Sequence, residues 1–174
     1  MIDSRSKLTQ RFLDRSFSCR LVTHLNYIFH QSLVTDSMEI RELTVEAERR
    51  EAVPILRQLW RDTDPADVLE WTADDDYRLF GGFVAGDVVG VAGVLVTHVL
   101  HHARHAWLYD LVVDESRREN GYGTELIAFI EEWATENGCE YVALASPSAK
   151  EAVHEYYENR NYKKWGYIVE KELY

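Results

Sequence analysis

The stretch from Trp107 to Asn137, WLYDLVVDESRRENGYGTELIAFIEEWATEN, constrains the fold more than any other part of the chain. Trp107, Leu108, Leu111, Val112 and Val113 form a run apolar on both faces, as a strand inside a sheet requires. A tight basic loop follows, with Gly121 and Gly123 on either side of one residue. Leu126, Ile127, Ile130, Trp133 and Ala134 then recur at helical spacing, and Asn137-Gly138 is a helix stop. A central strand that feeds an amphipathic helix demands a layered fold, with that helix packed on the sheet. Such a loop also turns backbone N–H groups and a helix N-terminus toward an anion, and a pyrophosphate suits it. The loop lacks the third glycine of a dinucleotide fingerprint and the GK[ST] of a P-loop. Spacing alone therefore leaves a plain strand–helix turn open.

The rest of the chain supplies the layers. Glu39 to Leu43 alternate as a first strand. Thr44 can cap a helix carrying Ala52, Ile55, Leu56, Leu59 and Trp60 as its apolar stripe, with a kink or second start at Pro54. Asp64-Pro65 opens a short helix to about Trp71. Tyr77 to Ala85 and Val88 to Val99 read as strands joined by a turn at Gly86-Asp87. Ala106 to Val113 is the next strand, the main helix runs from about Thr124 to Asn137, and Tyr141 to Ala145 is a short strand. Ser148 with Glu151 forms a capping box for a helix to about Asn159, and Tyr162 to Leu173 supplies one bent or two short strands. The order is that of a mixed α/β fold with helices on both faces of one sheet.

Residues 1–37 differ from the remainder. Their five basic and three acidic residues give +2, within a chain of net charge −11. They lack a sustained period, and Met38 stands at the head of the first strand. The expectation is an N-terminal extension over 1–37, disordered or ahead of the natural start, and a folded domain over 38–174.

The acidic balance argues against a nucleic-acid binder, and no apolar run approaches the roughly 20 residues of a membrane span. Cys19 and Cys139 lack CxxC spacing, which fits a reducing cytoplasm. His98, His101, His102 and His105 cluster at a hairpin tip. Between flanking strands they read as a solvated turn rather than a zinc site, and no metal is expected. The chain has 14 Arg, 5 Lys and 30 Asp plus Glu. That balance is shared by proteins of salt-loving microbes and by ordinary acidic proteins, and in the first case it says nothing of a cationic substrate.

Two motifs together resemble a known family. Val113-Asp114 followed by Arg118-x-x-Gly121-x-Gly123 is similar to the Arg/Gln-x-x-Gly-x-Gly/Ala signature of the GNAT N-acetyltransferase superfamily. Tyr156-Tyr157-Glu158-Asn159-Arg160-Asn161-Tyr162 is similar to its Phe-Tyr-x-x-x-Gly-Phe segment. The resemblance covers Glu39 to Leu173 and implies a mixed, mostly antiparallel sheet of six to seven strands with helices on both faces.

By the same resemblance the activity is transfer of an acetyl group from acetyl-CoA directly to a primary amine. The backbone of Leu111, Val112 and Val113 would pair with the pantetheine arm. The amides of Arg118, Glu119, Asn120, Gly121, Tyr122 and Gly123 would hold the pyrophosphate, with Thr124 opening the helix. Tyr157 matches the tyrosine that can protonate the leaving thiolate in many members, and many members form homodimers, although no long apolar stripe here identifies an interface. Asn161 stands in place of the family's glycine, Lys150 in place of an asparagine that touches the cofactor, and Glu119 and Asn120 in place of Gly and a basic residue.

The general base is the weakest part of the pattern. Tyr109 occupies the place of a glutamate that acts through water in some members, and Asp110 beside it can serve if a bulge or twist turns it to the substrate. Its other reading is a carboxylate hydrogen-bonded within the protein. Glu70, His154, water or an already neutral amine are further options. The acceptor is a small-molecule or protein amine. Asp74 to Asp76 could hold a cationic one or be only a solvated loop, and Trp60 and Trp71 line the acceptor side or belong to the core. A non-catalytic acyl-CoA-binding or partner-binding module on the same fold is the alternative function.

Overall fold

A computed structural model describes residues 37–101, 103–147 and 149–173, and those from Met38 onward belong to one compact unit. Apart from Ser37, the expected extension over 1–37 lies outside the described residues, as does Ser148 with its capping box. Five strands form one sheet in sequence order: β1 Glu39–Glu42, β2 Tyr77–Val84, β3 Asp87–Val99, β4 Ala103–Val113 and β5 Tyr141–Leu144. The β1–β2, β2–β3 and β3–β4 pairs are antiparallel, and β5 lies parallel to β4. Helices α1 (Glu46–Leu56) and α2 (Pro65–Trp71) precede β2, α3 (Tyr122–Glu136) joins β4 to β5, and α4 is Glu151–Glu158.

The sheet separates two apolar layers. Ala52, Ile55 and Leu56 of α1 and Val68 of α2 pack on Leu79, Val91 and Val112 on one face. Leu126, Ile127, Ile130 and Ala134 of α3 pack on Phe80, Ala92, Val94 and Leu108 on the other. Each such Leu or Ile contributes about 2 kcal/mol by leaving water. Helix α3 ends as its sequence requires: Gly138 at φ +72 lets the Cys139 N–H return to the Ala134 carbonyl.

Several expectations need correction. The described residues hold five strands rather than six to seven, because residues 162–173 form no regular ladder. An alternating pattern cannot itself supply a hydrogen-bonding partner. The β2–β3 turn is Ala85-Gly86, one residue earlier than expected, with φ +53 and +89. Two positive φ values are what a tight hairpin of this twist needs. Val45 rather than Thr44 is the N-cap of α1 and supplies no side-chain bond.

Pro54 neither restarts nor prolongs α1. Two residues later the chain tightens, with Gln58 N–H on the Ile55 carbonyl and Leu59 N–H on that of Leu56. Leu59 and Trp60 therefore leave the helical stripe. Residues 57–63 become a hook directed at β4.

Strand β4 has a bulge at Tyr109. Its register with β3 passes from Gly93↔Asp110 to Val94↔Leu108, leaving Tyr109 unopposed. The extra residue reverses the alternation of side chains. Ala106 and Leu108 face α3 before the bulge, and Leu111 and Val113 face it afterwards. Asp110 and Val112 are thereby turned to the α1–α2 side.

On that side Tyr77, at the start of β2, lies across β3 above Gly93. A Cβ at Gly93 would sit 1.7 Å from the Tyr77 hydroxyl. Tyr77 donates to Asp110 Oδ2 at 2.5 Å, and Trp60 Nε1–H from the hook donates to Oδ1 at 2.7 Å.

Gly93→Ala should displace the Tyr77 ring and strip a buried carboxylate of one donor, costing about 3 kcal/mol in urea unfolding. Tyr77→Phe, which keeps the ring, should cost about 2 kcal/mol. A Gly93→Ala variant within about 0.5 kcal/mol of wild type would contradict this packing.

Candidate active site

The outer edge of β4 opens where the bulge lies. β5 pairs with β4 only from His105↔Tyr141 to Leu108↔Leu144. From Tyr109 to Val113, β4 keeps β3 on one edge and has no strand among the described residues on the other. Along this stretch Val112 turns its backbone groups to β3, while Leu111 and Val113 turn theirs to the free edge, where the Val113 carbonyl accepts from Arg118 and the rest can pair with an extended ligand.

This edge leads into the glycine loop. Asp114 caps a short turn, Glu115–Arg117, accepting from the Ser116 N–H at 2.9 Å and from the Ser116 hydroxyl. The Ser116 hydroxyl is the first cause holding the Asp114 carboxyl below its ordinary pKa.

Gln58, from the hook after α1, clamps the turn. It donates to Asp114 Oδ2 at 2.9 Å, and its Oε1 accepts from the Glu115 N–H at 3.0 Å and Arg118 at 3.2 Å. Arg118 also donates to the Val113 carbonyl at 3.2 Å, so its side chain braces the strand end. Asn120 donates to the carbonyls of Arg117 and Arg118 at 3.0 and 3.1 Å.

Glu119 and Gly121 adopt φ +67 and +86, two left-handed steps that bring the chain to α3. Gly121 is the helix N-cap, and its carbonyl accepts from Thr124 and Glu125. The N–H groups of Tyr122 and Gly123 precede the first intrahelical donors and are left at the positive end of the helix dipole. This end can take an anionic group. Thr124 adds a second attachment, since its Oγ1 accepts from Arg160 at 2.8 Å and lies 3.4 Å from the Tyr156 hydroxyl. Arg160 lies 3.8 Å over the Tyr156 ring. The end of α4 is thereby tied to the start of α3.

Tyr157 sits on α4, packed against the α3 layer, with the rings of Tyr156 and Tyr162 at 5.2 and 5.3 Å. The Tyr162 hydroxyl is engaged by Glu131 at 2.9 Å, whereas among the described residues that of Tyr157 has no hydrogen-bond partner. Burial pushes the Tyr157 phenol up to about 12, with the neighbouring Tyr156 adding to it and Arg160 opposing. Asn161 takes φ +66 and closes α4 by returning the Tyr162 N–H to the Tyr157 carbonyl, so Asn performs the turn where the resemblance has Gly. Lys150 caps α4 without a side-chain bond and is exposed.

Asp110 is on the opposite face of the sheet from Tyr157 and only 2% exposed. Burial raises its pKa, with the bonds from Tyr77 and Trp60 working the other way. Burial also raises the Tyr77 phenol well above its usual range, followed by the adjacent Asp110 charge. The bulge that could aim Asp110 at a substrate is present, yet both carboxylate oxygens are taken by donors. Tyr109, the bulged residue, is half exposed. Glu70 lies exposed on α2, and His154 Nε2 is 3.1 Å from the Pro147 carbonyl.

Gln58, Trp60 and Tyr77 thus organise the site from 33 to 57 residues away from their partners in β4 and the following turn. Gln58 carries no sequence signal. Tyr77 could have been suspected from a tyrosine in β2 lying diagonal to a glycine in β3. Among the described residues no group of three or more His, Cys, Asp or Glu is placed to hold a metal, and no helix is long and apolar enough to cross a membrane. An open groove of about 790 Å³ runs between α1 and α2 past Arg49, Pro54 and Glu70, and none of its lining belongs to β4 or the glycine loop.

The model of the acetyltransferase (GNAT) family matches residues 39–162. An uncharacterized N-acetyltransferase, YhdJ of Bacillus subtilis (strain 168), is 26% identical over 141 residues, covering 79% of this chain and 96% of the relative. A structure described as a transcriptional regulator from Bacillus halodurans C-125 superposes with a TM-score of 0.69 at 20% identity, over 79% of this chain and 100% of that one. Aminoglycoside N-acetyltransferase AAC(6')-Iy, solved in complex with CoA, gives 0.68 at 19% identity, over 79% and 95%. The glycine loop at the start of α3, the open edge of β4 and α4 with its Tyr157 all fall within the matched residues: the chain belongs to the acetyltransferase (GNAT) family.

Proposed function

We propose that this protein transfers an acetyl group from acetyl-CoA to a primary amine by direct attack on the thioester. The observation that carries this reading is the continuity of two features. The free edge of β4 at Leu111, Val112 and Val113 runs straight into the exposed N–H groups at the start of α3. An extended arm ending in a pyrophosphate fits that sequence of strand edge and helix N-terminus. The amides of Arg118, Glu119, Asn120, Gly121, Tyr122 and Gly123, with Thr124, would hold the pyrophosphate, while the Arg118 side chain braces the loop. Small-molecule amines are the favoured acceptors, in keeping with the name of the aminoglycoside N-acetyltransferase neighbour.

The reaction forms a C–N bond and breaks the C–S bond. The attacking nitrogen must be neutral and gives its proton to water. The departing thiolate takes a proton from Tyr157, which solvent restores. A phenol near 12 is a weak acid toward a thiolate whose conjugate thiol lies near 8.5. The same apolar surroundings would raise the basicity of a thiolate formed there, narrowing the mismatch. Asp110 is assigned a different task from abstraction. With both oxygens occupied it positions Trp60 and Tyr77 and holds the bulge.

Thiol release from acetyl-CoA, read against a panel of primary amines, tests the activity. Tyr157→Phe should lower kcat about a hundredfold and change CoA affinity less than about threefold. An unchanged kcat would remove the acid role.

Asp110→Asn should lower stability while leaving the shape of the pH–rate profile intact, whereas loss of the acidic limb would restore it as the base. Linkage supplies the sign of a second readout. A folded pKa raised above the unfolded 3.8 favours the protonated form on folding. Its contribution is full below about pH 4 and is lost as pH rises through the folded value. Wild type should therefore lose stability relative to Asp110→Asn as pH rises across that interval. A difference that grew in favour of wild type with pH would contradict the assignment.

A further inference from the structure

We infer that the acceptor of this site is a small polycationic amine, held by a protonated nitrogen against the exposed aromatic faces of Trp60, Trp71 and Tyr109. This deepens the acetyl-transfer reading and rests on it. Large apolar side chains left half in water call for an explanation. Trp60, Trp71 and Tyr109 are 49, 46 and 50% exposed, yet none is loosely held. Trp60 is pinned through its indole N–H to Asp110, and Trp71 packs on Tyr77 and Tyr109 with ring centroids at 5.5 and 6.4 Å. Trp107 extends the row, 6.1 Å from Tyr109. The rings gather on the α1–α2 side of β4 at the bulge, where its free edge begins.

Charge decides what such a surface takes. Residues 61–76 carry seven carboxylates and one Arg, −6 within a protein of −11. This segment contains Trp71 and adjoins Trp60. All seven carboxylates are exposed, and among the described residues none is ion-paired. An acidity spread evenly for solubility would not concentrate over half the net charge in this segment. Aromatic faces attract a cation through the ring quadrupole, and the negative charge of the segment that carries Trp71 draws one in. A neutral aromatic or sugar ligand would make no use of that charge. Because the attacking nitrogen must be uncharged, the ligand needs at least one further nitrogen to remain protonated on the rings.

Calorimetric titration with spermidine, without acetyl-CoA, tests this directly, with n-butylamine as a single-charge control. Spermidine should bind at least about tenfold more tightly than n-butylamine. Trp71→Leu, which keeps every carboxylate, should weaken spermidine about tenfold, and Trp71→Phe should stay within about threefold of wild type. Tyr109→Leu supplies a second position should Trp71→Leu fail to fold. Equal affinity for the two amines, or spermidine binding unchanged in the leucine variants, would overturn the inference. Failure of CoA to bind while spermidine retains this pattern would remove the acetyl-transfer reading and leave the polyamine site. CoA binding without preference for spermidine would remove only the inference.

Discussion

Asp110 is the residue on which the site depends. A buried carboxylate is costly unless hydrogen-bonded donors replace its water. Here the donors come from two distant parts of the chain, Tyr77 on β2 and Trp60 in the hook after α1. Satisfying Asp110 fixes the bulge at Tyr109, the reach of Tyr77 over Gly93 and the position of the hook. The same hook carries Gln58, whose amide clamps the turn ahead of the glycine loop. One buried charge thus couples the α1–α2 side of β4 to the turn ahead of the glycine loop.

The geometry has a consequence for catalysis. A group that must hold two donors in place is poorly suited to exchanging protons with substrate. Tyr157 has the opposite character, half-buried on the other layer of the protein with a hydroxyl that has no hydrogen-bond partner among the described residues. Division of labour by face follows from the bulge. Leu111 and Val113 return to the α3 side, while Asp110 and the exposed rings stay on the α1–α2 side.

Much of this was legible in the residues. Apolar runs and helical stripes located the main elements, and Asp64-Pro65, Asn137-Gly138 and Gly121-x-Gly123 marked helix ends because each acts through local backbone geometry. Asn161 at φ +66 shows why Asn can stand where a family pattern has Gly. The failures concern partners rather than local preference. The alternation in 162–173 predicts strands, but a strand exists only where a neighbour completes its ladder. The stripe through Leu59 and Trp60 ignores the tightening of the chain after Leu56, which takes both residues out of the helix. Burial of Asp110 and the clamp of Gln58 depend on residues 33 or more positions away, which no periodicity encodes.

The central claim is that the free edge of β4 and the amides at the start of α3 form one continuous acetyl-CoA site. Amide hydrogen exchange with and without CoA measures it directly. The account predicts protection of the amides at Leu111 and Val113 and over Arg118 to Gly123 on adding CoA, with the groove between α1 and α2 unchanged. CoA binding that left those amides unprotected would contradict it.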